Sequence, residues 1–241
     1  MKLIHGFVVS DLHIFTKWTT VEKYMQEINN AACKSDFGVF NGDIFDFKWS
    51  TLNSSKKTAE EASKWILKIC KSNPRCNFYY IMGNHDAHIV FPEYLNSITK
   101  QVKNFKWSAS HFFIGTFLFM HGDLLFTLKK SSPFKRPENK FMSKAPKRKY
   151  QVNSYNFAIN MGAQKFVSSF MNTKQTSKYI TKVLKNNYTD KLDNVNDVYI
   201  GHTHAAFSNF KYENYIFHNT GSAISGLECN ILNIKTKIPK I

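Results

Sequence analysis

Cysteine is scarce in this chain, and its few copies are poorly placed for metal or disulfide chemistry. The 241 residues include four cysteines, Cys33, Cys70, Cys76 and Cys229, and no pair has the Cys-x-x-Cys spacing. This pattern argues against a structural zinc ribbon and against a disulfide framework. We therefore expect reduced thiols and a cytoplasmic location.

Long apolar runs are also missing. No run approaches the roughly 20 residues that a membrane-spanning helix requires, and residues 1–6 lack the apolar region and cleavage site of a signal peptide. The hydrophobic content of 43% nevertheless predicts a packed core. At this length we expect one sizeable domain with room for an inserted subdomain.

Acidic residues are few relative to basic ones. The chain has 33 Lys plus Arg against 17 Asp plus Glu, a formal net charge of +16. Such a surface favours polyanions, namely nucleic acid, anionic lipid headgroups or phosphorylated substrates. A compositional bias towards lysine would give the same total without any binding role, so both interpretations stay open.

Five short motifs follow one another along the chain, and most come directly after a short apolar run that is typical of a strand. Side chains at the ends of neighbouring parallel strands converge on one edge of a sheet, where open α/β folds bind ligands. Most of the motif side chains are hard or borderline metal ligands. The motifs are Asp11-Leu12-His13, Gly42-Asp43, Gly83-Asn84-His85-Asp86, His121-Gly122-Asp123 and Gly201-His202-Thr203-His204.

Helical patterns separate the first motifs, which predicts βαβ units and a largely parallel central sheet. Thr19 with Glu22 and Thr58 with Glu61 have the spacing of capping boxes at the start of these helices. We predict that residues 1–125 and 195–241 form the core. Residues 126–194 form a basic insert, whose helical pattern over 155–185 predicts a cap that walls a substrate cleft or, alternatively, a helix packed on the core.

The ordered set of motifs resembles the calcineurin-like metallophosphoesterase superfamily. The resemblance implies an α/β fold, a four-layer α/β/β/α sandwich, and two divalent metal ions. It assigns Asp11, His13 and His204 to one ion and Asn84, His121 and His202 to the other, with Asp43 bridging both. Mixed Asp, His and Asn ligation suits Mn²⁺, with Fe²⁺ and Zn²⁺ as alternatives.

The same resemblance implies a catalytic role for His85 as the acid that protonates the leaving group. Asp86 is expected to hold the second ring nitrogen of His85. Asp46 either supports the metal ligands or caps the next segment, and Asp123 is a candidate to orient a ligand histidine. Attack by metal-bound hydroxide on phosphorus is the expected mechanism.

The sequence constrains the identity of the substrate less than it constrains the metal ligands. The chain is similar to the UDP-2,3-diacylglucosamine pyrophosphate hydrolases in its length, its Gly42–Phe47 stretch and its basic insert. It departs from them at His85, where arginine is usual, so other phosphodiesterases or phosphatases remain open. A nuclease or cyclic-nucleotide phosphodiesterase is the second hypothesis, and a non-catalytic protein scaffold is the third.

A basic cluster in the insert is our candidate for substrate binding. It consists of Lys144, Lys147, Arg148 and Lys149. We expect it to recruit a phosphorylated anionic substrate, with peripheral contact to the inner face of an anionic membrane as a further expectation. Binding to nucleic acid is the less favoured alternative.

Overall fold

The structure is a computed structural model that describes residues 1–127, 132–147, 151, 172–187 and 189–238. The described helices are α1 (Met25–Lys34), α2 (Ser55–Ser72), α3 (Phe91–Gln101), α4 (Asp123–Thr127) and α5 (Thr173–Asn186). The strands are β1 (Lys2–Val9), β2 (Phe37–Asn41), β3 (Asn77–Ile81), β4 (Phe105–Ser108), β5 (His111–Ile114), β6 (Phe117–Met120), β7 (Asp197–Ile200), β8 (Phe207–Tyr212), β9 (Tyr215–Asn219) and β10 (Leu232–Ile238).

The strands form two five-stranded sheets. The first has the order β10-β1-β2-β3-β4, in which β1 to β4 are parallel and β10 is antiparallel to β1. The second has the order β5-β6-β7-β9-β8, in which β6, β7 and β9 are parallel. The predicted βαβ start and largely parallel centre are therefore confirmed.

Three apolar clusters arrange the chain in four layers. Phe7, Phe40 and Tyr80 of the first sheet pack against α1, α2 and α3. Between the sheets, Val8 and Val39 of one meet Phe119 and Tyr199 of the other. On the far face of the second sheet, the buried side chains Ile180 and Leu184 of α5 pack against Leu118, Val198 and Phe217. This is the α/β/β/α sandwich that the resemblance implied.

The structure corrects one predicted strand and two predicted helix caps. The apolar run 112–120 is two antiparallel strands, because Gly115 turns the chain with a φ of +59°. Helix α2 begins at Ser55, where Ser54 accepts a hydrogen bond from Lys57 N, and Thr58 lies inside the helix. Thr19 donates to Leu12 O and does not cap α1, which begins only at Met25.

The insert is described in part. Helix α5 agrees with the end of the helical pattern predicted over 155–185. The apolar residues of that pattern between 157 and 171, and the basic residues Arg148 and Lys149, lie outside the described residues. The boundaries of the insert therefore stay a prediction. Among the described residues, no helix is both long and apolar enough to cross a membrane.

Candidate metal centre

All five motifs lie where strands end, on one edge of the sandwich. They follow β1, β2, β3, β6 and β7, so both sheets contribute. Backbone hydrogen bonds join the loops: Asp11 N donates to Gly42 O, His13 N to Asp43 O, and Gly201 N to His121 O. The predicted convergence of residues that are distant in sequence is confirmed.

The backbone at the centre is held in an unusual conformation. Five non-glycine motif residues have left-handed φ angles between +47° and +65°, namely Asp11, His13, Asp43, His202 and His204. Such angles are uncommon for residues with a Cβ, and they concentrate at functional sites that the surrounding fold over-determines. The loop geometry therefore serves the placement of side chains rather than local backbone stability.

Two motif glycines are required because the side chain of another loop lies too close to leave room for a Cβ atom. A Cβ on Gly83 would overlap Asp43 Oδ1, and a Cβ on Gly201 would overlap Asp11 Oδ2. Each glycine therefore lets the backbone of one loop pass directly over the carboxylate of another. Both glycines are therefore needed for the packing of the loops at the centre and not only for their turns.

The first cluster is the one predicted for one metal ion. His204 Nε2 lies 3.2 Å from Asp11 Oδ1 and 3.3 Å from His13 Nε2. Asp11 and His13 are buried, and His204 is partly exposed. One ligand atom from each of the three residues falls within 4.8 Å of the others, which is compatible with a shared cation.

The second cluster lies against the first. Asp43, His121 and His202 place ligand atoms within 4.8 Å of one another, and His121 Nε2 lies 3.2 Å from Asp43 Oδ2. The other ring nitrogen, His121 Nδ1, lies 3.1 Å from Asn41 O. With Nδ1–H donating to this carbonyl, Nε2 beside the carboxylate is the nitrogen that can ligate a metal once it is deprotonated.

Two buried polar atoms at the centre fit a cation. Asn84 Oδ1 and His121 Nε2 have no hydrogen-bond partner among the described residues, although buried polar atoms are nearly always paired. The His121–Asp43 contact is short but lacks hydrogen-bond geometry. A divalent ion would satisfy both atoms, and the mixture of carboxylate, amide and imidazole donors suits a borderline metal.

Charge is balanced within the clusters by opposing ionised groups. Burial raises the pKa of Asp43, but His121 and His85 lower it more, to well below its usual range. Burial lowers the pKa of His121, yet Asp43 and Asp11 raise it to about 10. Burial and then the charge of His121 lower the pKa of His202 to about 4. These opposite shifts reflect how closely the carboxylates and imidazoles are packed.

His85 lies beside the centre and is held by Asp46. Its Nδ1 is 2.8 Å from Asp46 Oδ2, and the same oxygen is 3.2 Å from His13 Nδ1. Burial lowers the pKa of His85, but Asp46 and Asp43 raise it to about 9. Asp46 Oδ1 also accepts from Trp49 N at 2.7 Å. Asp46 therefore supports the histidines and caps the next segment at once.

The expectation that Asp86 orients His85 is wrong. The Asp86 carboxylate is fully buried and accepts hydrogen bonds from Gly83 N, Ile44 N and the Tyr80 hydroxyl. Burial and the charge of Asp43 raise the pKa of Asp86 to about 7. Its position next to His85 in sequence suggested a contact, but the turn directs the two side chains apart. Asp86 holds the loops that carry Asp43 and Asn84.

Asp123, the candidate to orient a ligand histidine, forms a buried ion pair with Arg136, and its charge also raises the pKa of His121. Arg136 Nη1 lies 2.8 Å from Asp123 Oδ2, and Nη2 donates to Asp123 Oδ1 and to Met82 O. Arg136 Nε donates to Ala109 O. Arg136 is buried. A residue of the basic stretch thus ties the loop after β3 to the loop after β6.

The described part of the basic cluster reaches the centre through a cavity. Lys144 and Lys147 are exposed and line a cavity of about 840 Å³ together with Asn84 and Lys48. Arg148 and Lys149 are outside the described residues. Lys144 and Lys147 are thus distant from Asn84 in sequence but line the same cavity.

The sequence left the role of Asp46 open and indicated no role for Arg136 or Lys48. Asp46 follows Asp43 by three residues and was recognisable as a second carboxylate near the motif, but its two histidine partners come from other loops. Arg136 was hidden among lysines in a basic stretch. Nothing in the sequence around Lys48 distinguished it from the other surface lysines.

Comparison with known proteins places the chain in a family. No curated protein matches this chain. Among solved structures, a dimetal phosphatase from Danio rerio is similar with 10% identity and a TM-score of 0.47, covering 92% of this chain and 88% of that one. Vps29 from Chaetomium thermophilum is similar with 12% identity and a TM-score of 0.38, covering 99% and 97%. The profile of the calcineurin-like phosphoesterase family matches residues 7–206, a range that contains the five motifs, and the chain therefore belongs to this family of metal-dependent phosphoesterases.

Proposed function

We propose that this phosphoesterase hydrolyses a phosphodiester or pyrophosphate bond at a dinuclear metal centre, and that a UDP-linked lipid is the first substrate to test. The observation that carries the proposal is the convergence of two ligand clusters, Asp11–His13–His204 and Asp43–His121–His202, beside the imidazole of His85.

The proposed metal ligands form two groups, one for each ion. Asp11, His13 and His204 would hold one divalent ion, Asn84, His121 and His202 the other, and Asp43 would lie between them. We propose Mn²⁺, with Fe²⁺ and Zn²⁺ as alternatives, because the donor set mixes oxygen and imidazole nitrogen. Two bound ions would supply charge neutralisation at the phosphate and an activated water.

His85 is proposed as the acid for the leaving group. Asp46 occupies its Nδ1, which leaves Nε2 as the ring nitrogen that can face the substrate. Asp46 and Asp43 raise the pKa of His85 to about 9, which favours the protonated, acid form of the ring. As the phosphorus–oxygen bond breaks, the Nε2 proton would pass to the departing oxygen, and positioned proton transfer of this kind contributes about 10²–10⁴-fold.

The choice of substrate rests on the surroundings of the centre. The cavity beside Asn84 combines lysines with the apolar side chains of Phe141, Met142 and Pro146, which suits a molecule with anionic and apolar parts. An anionic membrane in which such a substrate resides is proposed as a peripheral partner of the basic surface. A nucleic-acid backbone would use the lysines but not the apolar wall.

A substrate panel with Mn²⁺ tests the function. It should contain simple phosphodiesters, nucleotides, UDP-linked lipids and single-stranded nucleic acid. Metal-dependent turnover of the UDP-linked lipid, with release of a nucleotide, is the expected result, whereas preferential cleavage of single strands would establish the nuclease alternative. A protein that purifies without metal and cleaves nothing in the panel would indicate a scaffold.

The role of His85 has its own test. His85→Ala should retain the metal and lose turnover, and the loss should be smaller for an aryl ester than for an alkyl ester, because a good leaving group needs less protonation. Equal impairment on both esters, measured as kcat, would contradict the proposed acid.

A further inference from the structure

The cavity beside Asn84 borders one of the proposed metal ligands. It has a volume of about 840 Å³, and its described lining includes Lys48, Asn84, Phe141, Met142, Lys144 and Lys147. Asn84 is a proposed metal ligand, so an occupant of the cavity would lie next to a residue of the centre. The space is larger than a single phosphate needs.

Backbone hydrogen bonds hold the walls of the cavity in place. Met142 N donates to Ala87 O at 2.8 Å, and Ile89 N donates to Met142 O at 2.9 Å, so this segment runs along the loop that carries Asn84. Lys147 N donates to Lys48 O at 2.9 Å. These bonds join the segment 141–147 to the two loops that follow β2 and β3, and they bring lysines from separate parts of the chain to one space.

The positive charge in the cavity has no acidic partner among the described residues. None of the described lining residues is acidic, and within the described chain Lys48, Lys144 and Lys147 form no ion pair. Lys48 Nζ lies 5.4 Å from the Trp49 ring centroid, a contact that leaves its charge available to an anion. Three lysines without an ion-pair partner among the described residues, around a concave space next to the proposed metal centre, favour a further anion.

We propose that this cavity is a subsite for a second phosphate group of the substrate, held by Lys48 and Lys147 while the scissile phosphate lies at the metal centre. The inference rests on the proposed phosphoesterase function and narrows its substrate class to phosphoesters that carry two separated phosphates. A UDP-linked lipid, whose two phosphates share one oxygen, falls outside this class, so a positive result here would favour the other phosphodiesters of the substrate panel. The apolar wall of Phe141 and Met142 would contact the segment that links them.

Competitive inhibition of an aryl phosphodiesterase assay with Mn²⁺ in excess tests the subsite. The probes are alkanediol bisphosphates of increasing chain length and the alkyl monophosphates of matching length. The wild-type protein should bind the best bisphosphate at least about tenfold more tightly than its monophosphate, since a hydrogen bond to a charged group is worth about that factor. K48Q/K147Q should abolish most of this ratio.

The readout is the ratio of two inhibition constants, so a general loss of activity cannot imitate the effect. K100Q/K103Q is the matched control, because these exposed lysines lie at the end of α3 outside the cavity lining, and it should keep the wild-type ratio. A wild-type ratio near one at every length, or an unchanged ratio in K48Q/K147Q, overturns the subsite while leaving the phosphoesterase function intact.

Failure of the function itself would look different. If the wild-type protein hydrolyses no ester with Mn²⁺, the proposed function fails. Calorimetric titration of the Mn²⁺-loaded protein with the same probes still decides the subsite, because it measures the ratio of the two affinities without turnover.

Discussion

At the residue scale, one carboxylate oxygen of Asp46 serves two histidines. Asp46 Oδ2 lies within hydrogen-bonding distance of Nδ1 of both His13 and His85. A carboxylate in this position sets the ring orientation and tautomer of an imidazole and raises its basicity. Because one ring is a proposed metal ligand and the other a proposed acid, Asp46 links metal binding to proton transfer.

Asp46→Asn tests this linkage. The amide has the same size as the carboxylate. Its oxygen is uncharged, so it would accept more weakly from the Nδ1 atoms of His13 and His85. We expect turnover to fall about 10–100-fold, with weaker Mn²⁺ affinity. Steady-state kinetics and a metal titration are the measurements. Asp36→Asn, at a carboxylate that bonds to His5 N away from the centre, is the control, and a loss in it as large as in Asp46→Asn would contradict the assignment.

The thiols give a second test at this scale. Burial raises the pKa of Cys70, Cys76 and Cys229 to about 12, and Cys33 is exposed. Because the thiolate is the reactive form, a brief treatment of the native protein with iodoacetamide should label Cys33 alone. Mass spectrometry of the peptides gives the result, with the unfolded protein as the control in which all four thiols react. Rapid native labelling of Cys70 would show that the packing around α2 is wrong.

At the scale of elements, Arg136 ties its own segment to the loops that follow β3 and β6, one from each sheet. It reaches the carbonyl of Met82 just before Gly83 and the carboxylate of Asp123 just after His121. Both loops carry proposed ligands of the same ion. The ion pair is buried, so loss of one partner leaves an uncompensated charge.

Arg136→Gln should therefore lower the free energy of unfolding by about 3–5 kcal/mol. The double variant Arg136→Gln/Asp123→Asn should lose less free energy of unfolding than the sum of the two single variants, because it leaves no unpaired buried charge. Denaturant unfolding gives these values. Lys185→Gln, which breaks the exposed pair with Glu213, should leave stability nearly unchanged. Additive effects of the Arg136 and Asp123 changes would contradict direct coupling.

The sequence predicted strands and loops better than it predicted contacts between them. Apolar runs before each motif were sufficient to place the loops on one edge. The strand break at Gly115 was missed because apolar residues continue on both sides of the turn. The partner of His85 was missed for a related reason: Asp86 is adjacent in the chain, but the contact comes from Asp46 across a loop, and spacing carries no information about distances between loops.

At the scale of the whole molecule, the centre is a place where loops from both sheets bring buried carboxylates and imidazoles together. Asp11 and Asp43 are buried within contact distance of histidines, and burial of carboxylates is costly unless they are paired. The protein's own imidazoles or a bound cation can provide that pairing. Stability should therefore depend on metal and pH together.

The pH dependence of the chelated protein has a defined sign. The pKa values of His121, about 10, and His85, about 9, exceed that of an unfolded histidine, about 6.5. Their stabilising contribution is thus fully present below about pH 6.5 and is lost as pH rises through the folded-state values. Between about pH 7 and about pH 9, each should reduce the free energy of unfolding by about 1 kcal/mol per pH unit.

Bound Mn²⁺ should reduce this loss, because a ligand imidazole carries no proton on the coordinating nitrogen and metal affinity rises as the ligands deprotonate. We therefore expect the stability gap between loaded and chelated protein to widen as pH rises from about 7 to about 9. Denaturant unfolding with Mn²⁺ or with chelator measures the gap, and titration of surface groups cancels in the difference. In His121→Gln the gap should be smaller and nearly independent of pH. A gap that narrows with pH in the wild-type protein would exclude His121 as a ligand.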